Sequence, residues 1–386
     1  SGADVILIEK NRECGKKHLI TGKGRCNITN ISPWREFQTH IHPDKSFFKH
    51  SFGAFSNEDV VSFFNTIGVE CKVERGQRVF PVSERSVDVR DALVSYIYDG
   101  GIKLACGYNV KGIAQKDDCF IIKAQGIAGE RIEISSRTVI VATGGLSYPT
   151  TGSTGSGYDF ARGFGHTIVD TFPSLTALKP PQIDSRLEGL LLKNVRMDLW
   201  VNGSVVQSEF GEVQFTSGGI EGALGFRLSR KAVKGLINGQ KVEVVIDLKP
   251  AVDVVDLQRR IGELEKEIKG GQLSKILPRL LPAQMVPSFM DTSQGLNLQN
   301  LAQRLKNWNF KIVDYVGYER CVVTAGGVSL GEISKKRMES QLVPGLFFAG
   351  EVLDLDADTG GYNLQVAFST GALAAESALK SISLQN

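Results

Sequence analysis

The sequence of 386 residues lacks long apolar runs and any signal-peptide pattern. No apolar run approaches the roughly 18 to 20 residues that a membrane-spanning helix needs. Residues 1–4 lack the basic and apolar blocks with which a signal peptide begins. We therefore expect a cytoplasmic protein without a membrane partner.

The sequence also lacks a strong charge of either sign. Its 45 basic and 42 acidic side chains give a formal net charge of +3. Proteins dedicated to nucleic acids carry larger or more clustered positive charge, so the composition argues against a nucleic-acid partner. Small-molecule substrates, including acidic ones, remain open, and the composition does not determine the oligomeric state.

Clustered metal and thiol ligands are missing as well. The six cysteines are widely spaced, and no two form a Cys-x-x-Cys motif, which argues against a zinc site, a disulfide framework and a dithiol redox centre. His40, His42 and His50 share one polar stretch, but zinc would need a fourth ligand and better spacing. We expect reduced thiols, histidines that are hydrogen-bonded or solvated, and no metal.

Glycine, in contrast, is abundant and clustered. The 42 glycines are about 11% of the residues, against about 7% in ordinary proteins. Many lie next to the ends of predicted strands and helices, where glycine allows a backbone to approach another backbone or a ligand. The glycine clusters are therefore candidate parts of a binding site.

An apolar run at residues 5–8, followed by Glu9, has the pattern of a buried parallel strand with an acid at its carboxyl end. In dinucleotide-binding folds such an acid accepts hydrogen bonds from a ribose and follows the Gly-x-Gly-x-x-Gly fingerprint by about 20 residues. We expect that fingerprint upstream of Ser1. Taken alone, Glu9 could equally be an acid that merely ends a strand.

The patterning changes twice along the chain. Apolar runs alternate with amphipathic helices up to about residue 174, which indicates an α/β sheet. One of these helices is predicted to begin at a capping box at Ser56, and another to run from about residue 87 to 99. Short alternating strands follow from about 175 to 249, with a hairpin signal at Asn202-Gly203, and residues 253–310 have the periodicity of amphipathic helices. The C-terminal segment returns to the first pattern, so we expect a sheet domain interrupted by a β and helical insertion.

Several motifs stand in the order that is found in one flavoprotein family. They are Glu9-Lys10, Gly15-Lys16-Lys17, Thr21-Gly-Lys-Gly-Arg-Cys-Asn27, Ala142-Thr-Gly-Gly-Leu-Ser-Tyr-Pro149, Thr151-Gly-Ser-Thr-Gly155, Thr324-Ala-Gly-Gly-Val328, and Ala349-Gly-Glu-Val352 with Thr359-Gly-Gly-Tyr-Asn-Leu-Gln365. With them the sequence closely resembles, over essentially its whole length, the aminoacetone-oxidase-like and BaiN-like family of NAD(P)/FAD-dependent flavoproteins. The family's glycine-rich pyrophosphate loop is the one motif missing here, so we expect FAD retention to depend on residues upstream of Ser1.

The resemblance implies the α/β fold class, with a Rossmann-type FAD domain like that of glutathione reductase. An antiparallel β-barrel-like domain with a helical subdomain would interrupt it. The expected FAD domain comprises residues 1–174 and 335–386. The barrel-like insertion would comprise 175–252 and 311–334, and the helical subdomain 253–310.

The resemblance also implies the residues that contact FAD. The candidates are Glu9, Lys10, Lys17, Gly22, Gly24, Arg25, Cys26, Asn27, Val110, Ala142, Thr143, Gly144, Gly145, Gly350, Glu351, Gly360, Gly361, Tyr362 and Asn363. Glu9 resembles the ribose acid, and Val110 stands where such folds place a backbone contact to adenine. Beside the flavin or its ribityl chain would lie Gly22, Gly24, Arg25, Cys26 and Asn27. Arg25 offers five donors for a phosphate or carboxylate.

The last helix is expected to begin against the flavin. The N–H groups and positive dipole end at residues 361–363 suit the negative charge of a reduced flavin near N1 and the C2 carbonyl. A side chain at Gly361 would then clash with the ring system. The alternative is that Gly360 and Gly361 serve only helix packing.

The function expected from this resemblance is FAD-dependent hydride transfer between flavin N5 and a small organic substrate, with NAD(P)H as a candidate electron donor and no assigned catalytic acid or base. The alternative is a flavin-dependent RNA-modifying or RNA-binding protein, for which the candidate contacts are Arg227, Arg230, Lys231 and Lys234. A thiol mechanism at Cys26 is disfavoured because no resolving cysteine is close in sequence.

Overall fold

The computed structural model describes residues 3–268 and 272–383. The chain divides into two compact units, one formed by Ser1–Phe172 with Val323–Asn386 and the other by Pro173–Val322. In the described part of the chain, no helix is long and apolar enough to cross a membrane.

The first unit mixes short strands and helices. Its strands are β1 (Ile6–Glu9), β2 (Thr29–Asn30), β3 (Ile41–His42), β4 (Cys71–Glu74), β5 (Arg78–Pro81), β6 (Lys103–Cys106), β7 (Tyr108–Lys116), β8 (Cys119–Gly126), β9 (Arg131–Ser136), β10 (Val139–Val141), β11 (Ile168–Ser174), β19 (Val323–Val328), β20 (Leu346–Phe348) and β21 (Asp356–Ala357). Its helices are α1 (Trp34–Phe37), α2 (Lys45–Ala54), α3 (Asn57–Thr66), α4 (Ser86–Asp99), α5 (Ser156–Gly163) and α11 (Tyr362–Ser383).

Two parallel strand pairs form the Rossmann-type part of this unit. β1 pairs with β6, and β10 pairs with β20. Between them in sequence, β7, β8 and β9 form an antiparallel meander. Phe347 and Phe348 of β20 are fully buried in the core cluster against which Ile8 of β1 packs, so the C-terminal segment completes the N-terminal sheet region.

The strand at the N-terminal end is less buried than its apolar run predicts. Val5 is 40% exposed and Leu7 36% exposed, because the side chains of β1 alternate between two faces and only one of these packs on the core. The predicted two-sided burial of this strand is therefore wrong. Ile140 of β10 shows the same pattern, at 38% exposed.

The helix boundaries follow local signals in the sequence. The predicted capping box at Ser56 is present, since Ser56 Oγ accepts from Asp59 N and the Asp59 carboxylate accepts from Ser56 N. The predicted helix near residues 87–99 is α4, which ends at Gly100. The predicted C-terminal helix is α11.

The second unit contains the remaining elements. They are β12 (Leu178–Lys179), β13 (Leu191–Val201), β14 (Ser204–Thr216), β15 (Gly219–Glu221), α6 (Gly222–Ile237), β16 (Val242–Asp247), α7 (Val254–Glu267), α8 (Leu273–Leu280), α9 (Val286–Thr292), α10 (Leu301–Lys306), β17 (Trp308–Ile312) and β18 (Asp314–Tyr315). The helices α7 to α10 lie within the segment that the sequence assigns to a helical subdomain.

A seven-stranded antiparallel sheet organises this unit, in the order β17, β16, β13, β14, β15, β12, β18. The predicted hairpin is present: β13 and β14 are joined at Asn202 and Gly203, whose φ angles of 49° and 81° are left-handed. Leu228 of α6 and Leu199 of β13 are fully buried. Closure of this sheet into a barrel stays a prediction.

One boundary differs from the expected domain limits. Residues 323–334 were expected in the insertion, but β19 pairs with β11 and belongs to the first unit. The reason is the close approach of two backbones, since a Cβ on Gly326 would lie 2.4 Å from the carbonyl oxygen of Asp170. The glycines at 326 and 327 thus allow β19 to pack closely against other backbone segments of this unit.

Candidate functional site

The carboxylate of Glu351 joins several of the motifs that the sequence singles out. Its Oε2 lies 2.6 Å from Lys17 Nζ. Its Oε1 accepts from Ser147 Oγ at 2.6 Å and from the backbone N–H of Thr324 at 2.8 Å. Lys17 Nζ also donates to Ser147 Oγ at 2.6 Å. Four segments that are remote in sequence therefore meet at one charged group.

Thr324 continues this junction toward the strand-end turn after β10. Its Oγ1 accepts from Leu146 N at 2.9 Å and from Ser147 N at 3.1 Å. Gly145 makes this possible, because a Cβ there would lie 2.6 Å from Thr324 Oγ1. Gly145 is thus brought to the Glu351 junction, where it leaves room for the Thr324 side chain; the candidates Ala142, Thr143 and Gly144 precede it in the turn after β10.

Gly350 precedes Glu351 and fixes the turn that carries it. Its φ of 73° is left-handed, and its N–H donates to Thr370 Oγ1 of α11 at 2.9 Å. The short 3-10 turn Gly350–Val352 is therefore anchored to the last helix.

Glu9 lies at the carboxyl end of β1, as predicted for a ribose acid. Its Oε1 accepts from Asn11 N at 2.7 Å and from Asn11 Nδ2 at 2.8 Å, and Asn11 Nδ2 also donates to the Thr151 carbonyl. Lys10 Nζ donates to Thr154 Oγ1 at 2.7 Å. Burial lowers the pKa of Lys10, although the negative charge of Glu9 opposes this. Asn11, which orients the acid, is not among the residues predicted from the sequence.

Val110 lies on β7, shortly after β6, the strand that pairs with β1. It is partly buried against the main core, and its strand has a bulge between Val110 and Gly112. Val110 thus lies on the strand that follows β6 in sequence, and the last residue of β6, Cys106, pairs with Glu9.

Arg25 differs from the expected anion-binding role. Its Nη2 lies 2.5 Å from Glu74 Oε1 and 3.2 Å from Glu84 Oε1, and its guanidinium carbon stands 4.2 Å from the ring centroid of Phe80. The hydrogen bond that Arg25 donates to Glu74 raises the pKa of Arg25. Because two carboxylates already neutralise this charge, a substrate anion would have to compete with them.

Cys26 is paired with a histidine in a buried, neutral contact. Its Sγ lies 3.1 Å from His18 Nε2. Burial raises the pKa of Cys26 to about 12 and lowers the pKa of His18 to about 4. Both groups are neutral at neutral pH, and Cys26 is fully buried, so this thiol is not an activated nucleophile.

The start of α11 is fixed by two asparagine side chains. In the amide orientation that satisfies its neighbours, Asn27 Oδ1 accepts from Gly361 N at 2.9 Å. Asn363 Oδ1 accepts from Ala357 N at 2.9 Å, and Asn363 Nδ2 donates to the Ala357 carbonyl at 2.7 Å. The side chain of Asn363 thus supports the preceding loop, and one of the expected flavin-facing N–H groups is already bound to Asn27.

The same loop is held by two histidines. The Asp358 carboxylate is hydrogen-bonded to His40 Nδ1 at 2.9 Å and to His42 Nε2 at 3.0 Å. Burial alone would raise the pKa of the Asp358 carboxyl, but these two hydrogen bonds outweigh it and the pKa lies below its ordinary value. The ring of Tyr362 stacks on His40 with centroids 4.2 Å apart. Both histidines are hydrogen-bonded, as expected, and within the described residues no three metal ligands are grouped.

The protein itself leaves no room for a side chain at Gly361, and the predicted flavin contact stays a prediction. A Cβ on Gly361 would lie 2.4 Å from the carbonyl oxygen of Thr29 and 2.9 Å from a terminal amide atom of Asn27, and its φ is 99°. The neighbouring protein backbone therefore excludes a side chain, which is the packing explanation. Gly22 is similar, with a Cβ position 2.9 Å from Asn27 N, whereas a Cβ on Gly24 would contact nothing within 4 Å.

Residues 1–377 match the model of the HI0933-like protein Rossmann domain. The chain belongs to this family. Its enzyme class is that of the FAD-dependent oxidoreductases, and the predicted Rossmann-type flavoprotein class is confirmed.

Two kinds of curated relatives are similar to the chain over nearly its whole length. A 3-dehydro-bile acid delta(4,6)-reductase from Clostridium scindens is 28% identical, with 97% of this chain and 93% of the relative covered. A ribosomal RNA dihydrouridine synthase from Escherichia coli is also 28% identical, with 96% of this chain and 90% of the relative covered.

Solved structures resemble the chain only distantly. The FrdA subunit of E. coli quinol fumarate reductase has a TM-score of 0.44 at 14% identity and covers 100% of this chain and 71% of its own. A flavoprotein/dehydrogenase from Cytophaga hutchinsonii has a TM-score of 0.34 at 11% identity, with 99% and 79% covered. Similarities this low carry no functional conclusion.

We predict that Gly361→Ala destabilises the protein even without FAD. The added methyl would meet the Thr29 carbonyl in a left-handed backbone, and overpacking with backbone strain costs about 3 kcal/mol. Gly24→Ala is the matched control, since it adds the backbone strain alone, about 1 kcal/mol. Urea unfolding of the flavin-free variants measures both. Equal losses in the two variants would contradict the packing explanation.

We also predict that Glu351→Gln loosens the junction of motifs. The amide keeps the shape but loses the ion pair with Lys17 and one acceptor oxygen, which should cost about 1–3 kcal/mol. Glu376→Gln, an exposed change on α11 beside Lys380, should cost less than about 0.5 kcal/mol. Thermal unfolding of both variants checks this, and similar melting temperatures would disprove the central role of Glu351.

Proposed function

We propose that this protein transfers a hydride between flavin N5 of FAD and a small organic substrate, with NAD(P)H as the electron donor. The observation that carries the proposal is the junction at Glu351, where motifs from four remote segments meet. A purely structural remnant would not need glycine-rich turns from separate segments at one place. The family membership supports the same conclusion.

The described residues fit the adenosine end of FAD. Glu9 Oε1 accepts both hydrogen bonds from Asn11, and no hydrogen bond from the described chain goes to Oε2. A carboxylate held in this way is prepared to accept a ribose hydroxyl at its second oxygen. Glu9 would therefore bind the ribose, and Asn11 would position Glu9.

The flavin end is proposed at the start of α11. When bound, FAD would supply the hydride-transfer chemistry at N5. The 22-residue helix α11 directs its positive dipole end toward residues 361–363, and Asp358 and Asn27 fix the turn before it. These residues would hold the helix end in place, so that no reorganisation is needed when negative charge develops nearby. The other residues predicted to contact FAD remain part of this proposal.

The proposed substrate is a small organic molecule and not a strongly anionic one. Arg25 is the cation with the donor geometry for a carboxylate or phosphate in the 21–27 motif, and Glu74 and Glu84 already neutralise it. The Clostridium scindens relative is named as a reductase of a bile acid. Reduction of a small unsaturated organic compound is therefore the first reaction to test.

The proposed function is tested by the spectrum of the purified protein and its response to electron donors. We expect a bound flavin chromophore that NADH or NADPH bleaches without oxygen, and that an added unsaturated substrate reoxidises. A protein that binds FAD but is bleached by neither nicotinamide would contradict the proposed donor. A full-length protein that never binds FAD would contradict the whole proposal.

We predict that Glu9→Gln weakens FAD binding. Loss of a charge-assisted hydrogen bond is worth about 1.5–3 kcal/mol, so the Kd should rise about 10-fold to 100-fold. Glu13→Gln is the matched control, because Glu13 lies in the same loop and its side chain is 78% exposed. Titration with FAD and fluorescence detection give both constants. Equal Kd values for the two variants would argue against Glu9 as the ribose acid.

A second candidate function is modification of RNA. It is favoured by the relatives named ribosomal RNA dihydrouridine synthase from E. coli and Haemophilus influenzae. The basic residues predicted for it are weak support. Arg227 lies 3.3 Å from Glu209 and donates to the Phe210 carbonyl, and Lys231 donates to the Val206 carbonyl. These two side chains attach α6 to β14, so a phosphate would have to compete with these contacts.

RNA binding at low and moderate salt separates the two functions. If the protein acts on small molecules, we expect no salt-dependent binding of a ribosomal RNA fragment, because phosphate contacts should appear as a steep dependence of affinity on salt. Tight, salt-dependent binding that is lost in Arg230→Ala with Lys234→Ala would favour the RNA function instead.

A further inference from the structure

Two cysteine side chains that are 92 positions apart in sequence lie side by side in the first unit. Cys14 Sγ is 3.6 Å from Cys106 Sγ. Cys14 lies in the loop after β1, and Cys106 is the last residue of β6. Both are partly exposed, so a small oxidant can reach them.

The backbone holds the two segments in this arrangement. Cys106 pairs with Glu9 in the parallel register of β1 and β6, and Gly107 N donates to the Asn11 carbonyl at 2.7 Å. After Cys14, Gly15 has a left-handed φ of 74°, and a Cβ there would lie 2.7 Å from Arg90 Cγ. The proximity of the two thiols is therefore built into the packing of the loop.

Three of the other cysteines have different neighbours. Cys26 contacts His18, Cys71 Sγ donates to the Val69 carbonyl, and Cys119 Sγ donates to the Lys116 carbonyl. A disulfide has an S–S length of about 2.05 Å, so Cys14 and Cys106 need to approach by about 1.5 Å. Rotation of the Cys14 and Cys106 side chains provides movements of this size.

We propose that Cys14 and Cys106 are a redox modification site that forms a reversible disulfide on exposure to hydrogen peroxide. In the first step, one thiol attacks the peroxide, its sulfur becomes a sulfenic acid, and one water is released. In the second step, the other thiol attacks the sulfenic sulfur, the S–S bond forms, the S–O bond breaks, and a second water leaves. The two thiols lose two electrons and two protons, and the peroxide is reduced to two waters.

Cys14 is held mainly as the neutral thiol. Burial and the contact with Cys106 raise the pKa of Cys14 to about 12, so Cys14 carries little thiolate, which is the form that attacks peroxide. Glu9, whose carboxylate also disfavours a negative Cys14, lies beside the pair.

The position gives the modification a structural effect. The disulfide would join the end of β6 to the loop that also carries Lys10 and Asn11. These residues surround Glu9, whose strand neighbour is Cys106. Formation of the disulfide does not depend on the proposed function, and its detection requires no cofactor.

Mapping of the cysteines in the full chain tests the proposal. The native protein is treated with graded hydrogen peroxide, free thiols are blocked with N-ethylmaleimide, and the digested chain is analysed by mass spectrometry. We expect one linked peptide pair, Cys14 with Cys106, that a dithiol reductant separates. The other four cysteines should carry the blocking group at the peroxide concentration that gives half-maximal linkage.

Variants sharpen the test. Cys14→Ser should reduce the linked species to background and leave Cys106 as a sulfenic or sulfinic acid, while Cys119→Ser should leave the yield unchanged. If either variant fails to fold, the map of the wild-type chain decides. Blocked thiols at both Cys14 and Cys106 after peroxide treatment, separate oxidation of the two, or linkage of either to another cysteine would overturn the proposal.

Discussion

The carboxylate of Glu351 is the group on which the arrangement of the candidate site depends. It accepts from Lys17, Ser147 and the backbone of Thr324, and each of these belongs to a different segment. A charge-assisted hydrogen bond in a partly buried place is stronger than a neutral one, and its loss leaves an unsatisfied charge. The turns after β10 and β20 and the start of β19 therefore keep their positions together.

Glycines supply the second constraint, since most of the motif glycines make room for other parts of the protein. Gly145 leaves space for Thr324, Gly326 for the backbone of Asp170, and Gly361 for Thr29. A ligand site formed by such turns is shaped first by protein packing. Gly24, whose Cβ position is open, is the motif glycine whose surroundings leave room for a ligand.

The sequence predicted the alternation of elements, the capping box at Ser56, the hairpin at Asn202 and the meeting of the flavoprotein motifs, because each depends on local chemistry or on a family pattern. It did not predict the partners of Arg25, the histidines held by Asp358, or the pairing of Cys14 with Cys106. Those contacts join residues that are far apart in sequence, and single-sequence patterns contain no distances. Burial of β1 was overestimated for the same reason, since composition does not show which face of a strand is covered.

The discontinuity of the first unit has a consequence for biosynthesis. Residues 173–322 are contiguous, so that unit is complete on the ribosome before the segment from 323 onward has been made, and domains generally fold as they emerge. The N-terminal half of the chain cannot complete its fold at that point. The strand that pairs with β10, the Asp358 side chain that contacts His40, and the whole of α11 are translated last. During that interval Phe37, Phe48 and Val141 lack part of their core, so apolar surface stays exposed on the nascent chain until the last helix has been made.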